Sequence, residues 1–175
     1  MKRTLLILSI PLFLLSCRNE NNNSLGKVNA YVPVYASKQD ATQISWQSVQ
    51  PIIKGGKIAI IGNRLYQVEE DKGIHVIDIS SPSAPVKIGF IKNSLCRELS
   101  LKGNYIYTNN LSDLVVLDVT NANTFKVSAR ISNAFPDLAL QYPPFSNCYF
   151  ECADPARGIV IEWKLQQVDN PKCKR

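Results

Sequence analysis

The chain repeats itself. The segment GNRLYQVEEDKGIHVIDISSPSAPVKIG that starts at Gly62 lines up with GNYIYTNNLSDLVVLDVTNANTFKVS that starts at Gly103. The period is about forty residues, with one residue lost in the loop before Asp113. Each copy reads as four short strands bounded by turn residues: 57–61, 65–69, 74–79 and 86–91 in the first, 98–102, 105–109, 114–119 and 125–131 in the second. Gly62-Asn63 and Gly103-Asn104 suit tight hairpins that need positive φ, while Ser80-Ser81-Pro82 and Thr120-Asn121 mark the third turn. The third strand of each copy is apolar at almost every position instead of alternating, so it must be covered on both faces. A four-stranded antiparallel sheet that needs a neighbour on each side is a propeller blade.

A third, degraded copy follows in 148–173, with Tyr149-Phe150-Glu151-Cys152 and then Arg157 to Trp163 matching the third strand; its first and last strands are hard to find. The expected fold is therefore all-β: two to three stacked four-stranded antiparallel blades, an incomplete propeller with repeats at about 57–96, 97–131 and 148–173. Closed propellers take roughly four to eight blades, so this ring cannot close by itself. The segments 31–53 and 132–147 are expected to cap the two open faces; an uncapped apolar face would lead to a homo-oligomer.

At these residues the chain resembles the LVIVD-repeat family, surface proteins of bacteria and archaea taken to be propeller-like, and above all its lipoprotein members, which carry a YVPVY segment after the anchor. "GIHVIDISSPSAPVKIG" and "GNYIYTNNLSDLVVLDVTN" carry the match, and the likeness covers most of 29–173. The resemblance implies a fold and a place in the cell envelope. It implies no activity and no catalytic residues.

The N-terminus points the same way. Lys2 and Arg3 precede the apolar run from Leu5 to Leu15, which is too short to span a bilayer and stops at Ser16-Cys17. Residues 1–16 thus read as a signal peptide. The ending resembles a lipobox, which implies diacylglycerol on Cys17, cleavage before it and a tethered rather than spanning protein. Asn-rich 17–28 then forms a flexible tether, and 29–175 is expected to be one domain. Arg18-Asn19 after the anchor leans toward an outer membrane, facing the periplasm. Tyr31-Val32-Pro33-Val34-Tyr35 reads as an edge strand or an extended cap, because proline cannot donate to a ladder. Ser37 with Asp40 resembles a capping box, and Ile44, Trp46 and Val49 suggest a short helix or turn near 37–46 that forms a lid; an aromatic platform of Trp46 and the tyrosines is the alternative.

The formal charge of +6 falls to about +4 once Lys2 and Arg3 are removed, too mild and too scattered for nucleic acid. In an oxidising compartment Cys173 is expected to bridge Cys152, or else Cys148, pinning a tail that would otherwise fray. Cys96 reads as a buried core residue. Zinc does not fit these spacings with a single His75 in the chain.

Repetition argues against catalysis. Asp78 and Asp118 hold one position in two blades and are expected to bind their own turn backbone. His75 has no Ser, Asp or Cys partner at a diagnostic spacing, so no catalytic residue is assigned. Hairpin residues Glu69, Glu70 and Asp71, Asn109, Asn110 and Asp113, and Asp154 are expected to gather at one end of the stack as ligand loops. Such oxygens suit Ca²⁺ at best, and no other cofactor is expected. The insertion from Phe135 to Phe145 offers Tyr142 and Phe145 to a glycan or peptide, or covers a blade face. The function expected is a non-enzymatic binding or scaffolding lipoprotein whose partner is an envelope protein or polysaccharide. The alternative is an extracytoplasmic hydrolase or metal-dependent enzyme that uses His75 with nearby carboxylates.

Overall fold

The computed structural model describes residues 25–121, 123–136 and 142–175. Cys17, the signal segment, most of the tether and 137–141 of the insertion lie outside these residues. The N-terminal strand β1 (Lys27–Ala36) is followed by a five-residue helix, α1 (Lys38–Thr42), and a short strand, β2 (Ser45–Gln47). The first repeat runs as β3 (Gly55–Ile61), β4 (Arg64–Glu69), β5 (Gly73–Asp78) and β6 (Val86–Lys92). The second runs as β7 (Leu99–Lys102), β8 (Tyr105–Asn110), β9 (Asp113–Asp118) and β10 (Lys126–Ile131). The chain continues with β11 (Tyr149–Phe150), a 3-10 turn (Pro155–Arg157), β12 (Ile159–Asp169) and β13 (Cys173–Lys174). All eight repeat strands match the sequence expectation to within two residues. Gly62 (φ +54°) and Gly103 (φ +58°) hold the left-handed conformation that each tight hairpin requires.

Each repeat is one antiparallel blade. The first has the order β2-β6-β5-β4-β3 and the second β10-β9-β8-β7. Between them lies one hydrophobic core: Tyr66, Val68, Ile74, Val76 and Ile91 from the first blade meet Ile106, Val115 and Leu117 from the second, with Cys96 on the connection. Burial pushes the Cys96 thiol up to about 12, as befits a packing residue. As expected, Asp78 accepts from the Ser80 backbone N–H (2.8 Å) and Asp118 from that of Thr120 (2.9 Å), and these turn hydrogen bonds hold both carboxyls below the usual range.

Two N-terminal expectations need correction. The helix stops at Thr42, capped by Ser37, whose Oγ accepts from the Asp40 N–H at 3.0 Å. Trp46 lies instead on β2, an added edge strand in register with β6 (Trp46 opposite Ile91), and its ring presses on Gly89, where a Cβ would come within 2.0 Å of the indole. It packs against the core and is partly buried. The YVPVY strand is neither lid nor edge: β1 is an interior strand of a third sheet, β12-β1-β11-β13, and supplies the strand that the degraded third repeat lacks. It runs antiparallel to β12 and parallel to β11. Pro33 is tolerated for a local reason. The Tyr31 carbonyl accepts from the Glu151 N–H (2.9 Å), so the polar groups of Tyr31, and two residues on of Pro33, face the β11 side. β11 has ended at Phe150, and the missing proline N–H deprives no neighbour.

Cys152 and Cys173 form the disulfide, with their Cα atoms 5.4 Å apart, and so tie β13 to the loop after β11. Cys148 is a free thiol that donates to the Phe145 carbonyl at 3.1 Å. Among the described residues no helix is long and apolar enough to cross a membrane.

Candidate functional site

The third sheet lies across the end of the stack where the β4–β5 and β8–β9 hairpins turn, and it leaves two clefts there. The larger, of about 770 Å³, separates the first blade's hairpin end from the edge strand β12; Phe90 and Glu69 line one side, Glu162 and Trp163 the other, Lys72 and Arg97 the rim. The smaller, of about 570 Å³, is mostly apolar and lies between Leu95 and Leu111 on one side and Phe150, Ile159 and Tyr142 on the other.

Nearly every charge at the larger cleft is already paired. Lys54 bridges Glu70 (2.6 Å), Lys72 bridges Glu162 across the gap to the third sheet (3.0 Å), and Arg97 holds Asp71 (2.6 Å). Arg97 is raised further by its hydrogen bond to Asp71. Between them these pairs commit most of the cleft's charges, and Lys72 with Glu162 joins the first blade to the third sheet. Trp163 meets Phe150 edge-on, with ring centroids 5.7 Å apart.

At the base lies a pair that sequence spacing did not reveal. Antiparallel pairing of β4 and β5 sets Gln67 opposite His75, which puts Glu69 on the diagonal. His75 Nε2 and Glu69 Oε2 are 3.0 Å apart, so the histidine has a carboxylate partner, a glutamate and not a Ser, Asp or Cys at a diagnostic spacing. Glu69 also accepts from the backbone N–H groups of Ile53 (3.1 Å) and Lys54 (2.5 Å). Burial raises its pKa, but the His75 contact and the two backbone donors outweigh this and hold the carboxyl below the ordinary value. The imidazole is fully buried under Phe90, at 5.0 Å between ring centroids, and its Nδ1 has no hydrogen-bond partner among the described residues.

The remaining predicted ligand positions divide into separate groups instead of one oxygen-rich cage. Asn109 is buried; its Oδ1 accepts from the Arg97 and Glu98 N–H groups and its Nδ2 donates to Leu95 and Leu111 carbonyls. Asn110 and Asp113 share Arg130, at 2.9 and 2.8 Å, and Asn110 reaches the Ala41 carbonyl of α1. Burial pushes Asp113 up, but the Asn133 N–H and Arg130 prevail and lower it. Asp154 caps the 3-10 turn through the Ala156 N–H (2.9 Å) and borders the smaller cleft. Among the described residues no group of three His, Cys, Asp or Glu side chains is arranged to hold a metal ion. Tyr142 and Phe145 are more than half exposed, yet both rest on the third sheet: Tyr142 meets Phe150 edge-on at 6.2 Å and Phe145 lies 5.8 Å from Tyr31. Phe90, Arg97, Glu162 and Trp163 were not foreseen. Trp163 could have been, as an aromatic that breaks the third repeat.

Residues 54–92 and 96–128 match the family model of the LVIVD repeat. The chain carries two LVIVD repeats. They account for β3 to β9 and the start of β10, whereas β1, β2 and the third sheet lie outside the matched segments. The larger cleft is thus formed by an LVIVD blade on one side and chain without the repeat signature on the other. No curated protein and no solved structure is significantly similar to the chain.

Proposed function

We propose that this is a lipid-anchored protein of the cell envelope, tethered through Cys17 to the outer membrane on its periplasmic side, whose LVIVD blades and third sheet form a non-enzymatic binding module. The observation that carries the reading is the 770 Å³ cleft, lined by amide side chains, Phe90 and Trp163, with its carboxylates committed to ion pairs or backbone donors. A site of this kind recognises a surface, such as a sugar polymer stacking on Trp163 or a protein segment laid along β12.

The test is a thermal-melt series of the full chain in detergent against envelope polysaccharide fragments, soluble envelope proteins and Ca²⁺. A ligand at a hundred times its Kd adds about 2.7 kcal/mol and raises the midpoint by several degrees. Trp163→Ala is expected to abolish that rise. Loss of fatty-acid labelling in Cys17→Ser tests the anchor separately.

One observation favours a second reading, hydrolysis or metal-assisted chemistry at the His75–Glu69 pair: the two side chains sit 3.0 Å apart, as an acid–base couple requires. Its weakness is that His75 has no exposed surface to offer a substrate. Turnover that disappears in His75→Ala while the unfolding transition persists would establish it.

A further inference from the structure

The two blades use opposite faces to meet each other, and the repeat shows what their other faces are built for. Superposing the repeats pairs Tyr66 with Tyr107, Ile74 with Leu114, Val76 with Val116 and Ile91 with Ile131. The first four of these positions, those of the first blade, are buried against the second blade. Their counterparts in the second blade share one face by strand register and look away from the first blade; Ile131 is 58% exposed, and Tyr107, Leu114 and Val116 are half-buried.

The converse holds for the first blade. Leu99, Leu101, Ile106 and Leu117 pack into the shared core from the second blade's side. Their counterparts Ile58, Ile60, Leu65 and Ile77 lie on the first blade's outward face, where Ile58 is 57% and Ile60 55% exposed and Leu65 and Ile77 are half-buried. Segment 50–54 crosses that face obliquely, from the bond of Lys87 to the Gln50 carbonyl to those of Ile53 and Lys54 with Glu69 at the hairpin end, where His75 is fully buried; Ile58, Ile60, Leu65 and Ile77 keep their exposure beyond it. Among the described residues the stack therefore ends in two unlike faces that are apolar away from the hairpin ends, where buried His75 and Asn109 stand in place of the seam residues Val115 and Val68; over that apolar part each has the register of the face to which the other type is already joined inside the molecule.

We propose that the occupant of each face is the other face of a second copy of this chain. Two copies join head to tail, first blade against second blade in both directions, and close a ring of four blades around a two-fold axis. Away from the hairpin ends the interface repeats the contact that Leu99, Leu101, Ile106 and Leu117 make within one chain, so it continues a packing arrangement already present. Four blades is the smallest ring that propellers commonly form, and a head-to-tail contact that closes avoids an open filament.

Light scattering coupled to size exclusion, on the full chain in detergent at about 20 µM, a concentration suited to interfaces of micromolar affinity or better, reads the protein mass directly. The wild type is expected at twice the chain mass. Ile60→Lys and Ile131→Glu each place a charge on one open face, at positions already more than half exposed, and each is expected to run as a monomer with an unchanged circular dichroism spectrum and a cooperative melting transition whose midpoint no longer depends on protein concentration. An equimolar mixture of the two is expected to recover the dimer, because one of its two contacts is wild type. A monomeric wild type, a stoichiometry other than two, a dimer indifferent to either substitution, or a mixture that stays monomeric overturns the proposal.

Discussion

Among single residues, Glu69 carries the most consequence. It ties the segment before β3 to the blade through two backbone donors and it partners His75. Removing its charge in Glu69→Gln is expected to cost about 1–3 kcal/mol at neutral pH, read as a lower urea midpoint. The pH dependence follows from the sign of the shift. Glu69 is lowered from an ordinary value of 4.5, so the unfolded chain binds the proton more readily than the native one. Its stabilisation is complete above that pH and disappears as the pH falls through the folded value. Between about pH 5 and pH 3 the wild type should lose stability more steeply than Glu69→Gln. Cysteine chemistry separates by burial: alkylation of the native protein at pH 8 should modify the half-buried Cys148 and spare Cys96, whose thiol is raised to about 12, as peptide mass spectrometry would report. Sequence spacing alone anticipated Asp78, Asp118 and Cys96, because their partners are local or their surroundings uniformly apolar. It missed the partner of His75, because a diagonal contact across two strands leaves no fixed signature along the chain.

For elements, the repeat strands were legible almost to the residue, since turn glycines and doubly apolar runs delimit them. The third sheet was not. Its central strand comes from the far end of the chain, and no local pattern in Tyr31 to Tyr35 says that its partner is β12. Proline was read as an edge marker because the rule assumes a full-length neighbour, whereas β11 is two residues long. The staple on this sheet should be measurable: Cys173→Ser is expected to lower stability by about 3 kcal/mol, the entropy of a loop of some twenty residues, and to expose β13 to hydrogen exchange while the blades stay protected. Trp46 on β2 likewise escaped detection, because its place is set by Gly89, a gap in another strand that receives the indole.

For the molecule as a whole, the two LVIVD blades share one core. Ile74→Ala removes a fully buried side chain from the seam between them and should cost about 2–5 kcal/mol in a chemical-denaturation curve that remains a single transition for both blades. The candidate site was the least legible part, because it belongs to neither repeat alone: the larger cleft arises where a blade end meets β12, and only assembly of distant segments brings Phe90 and Trp163 to one opening. That mode of assembly also fixes an order of events. Asn29 and Gln167 bond across 138 positions, so the strand synthesised first is paired by one of the last to be made. During synthesis the blades can condense while β1 still waits with both edges bare, open to chaperones and to mispairing. A chain interrupted before β12 would then be left with finished blades and an orphan strand, a shape that quality-control proteases are suited to recognise.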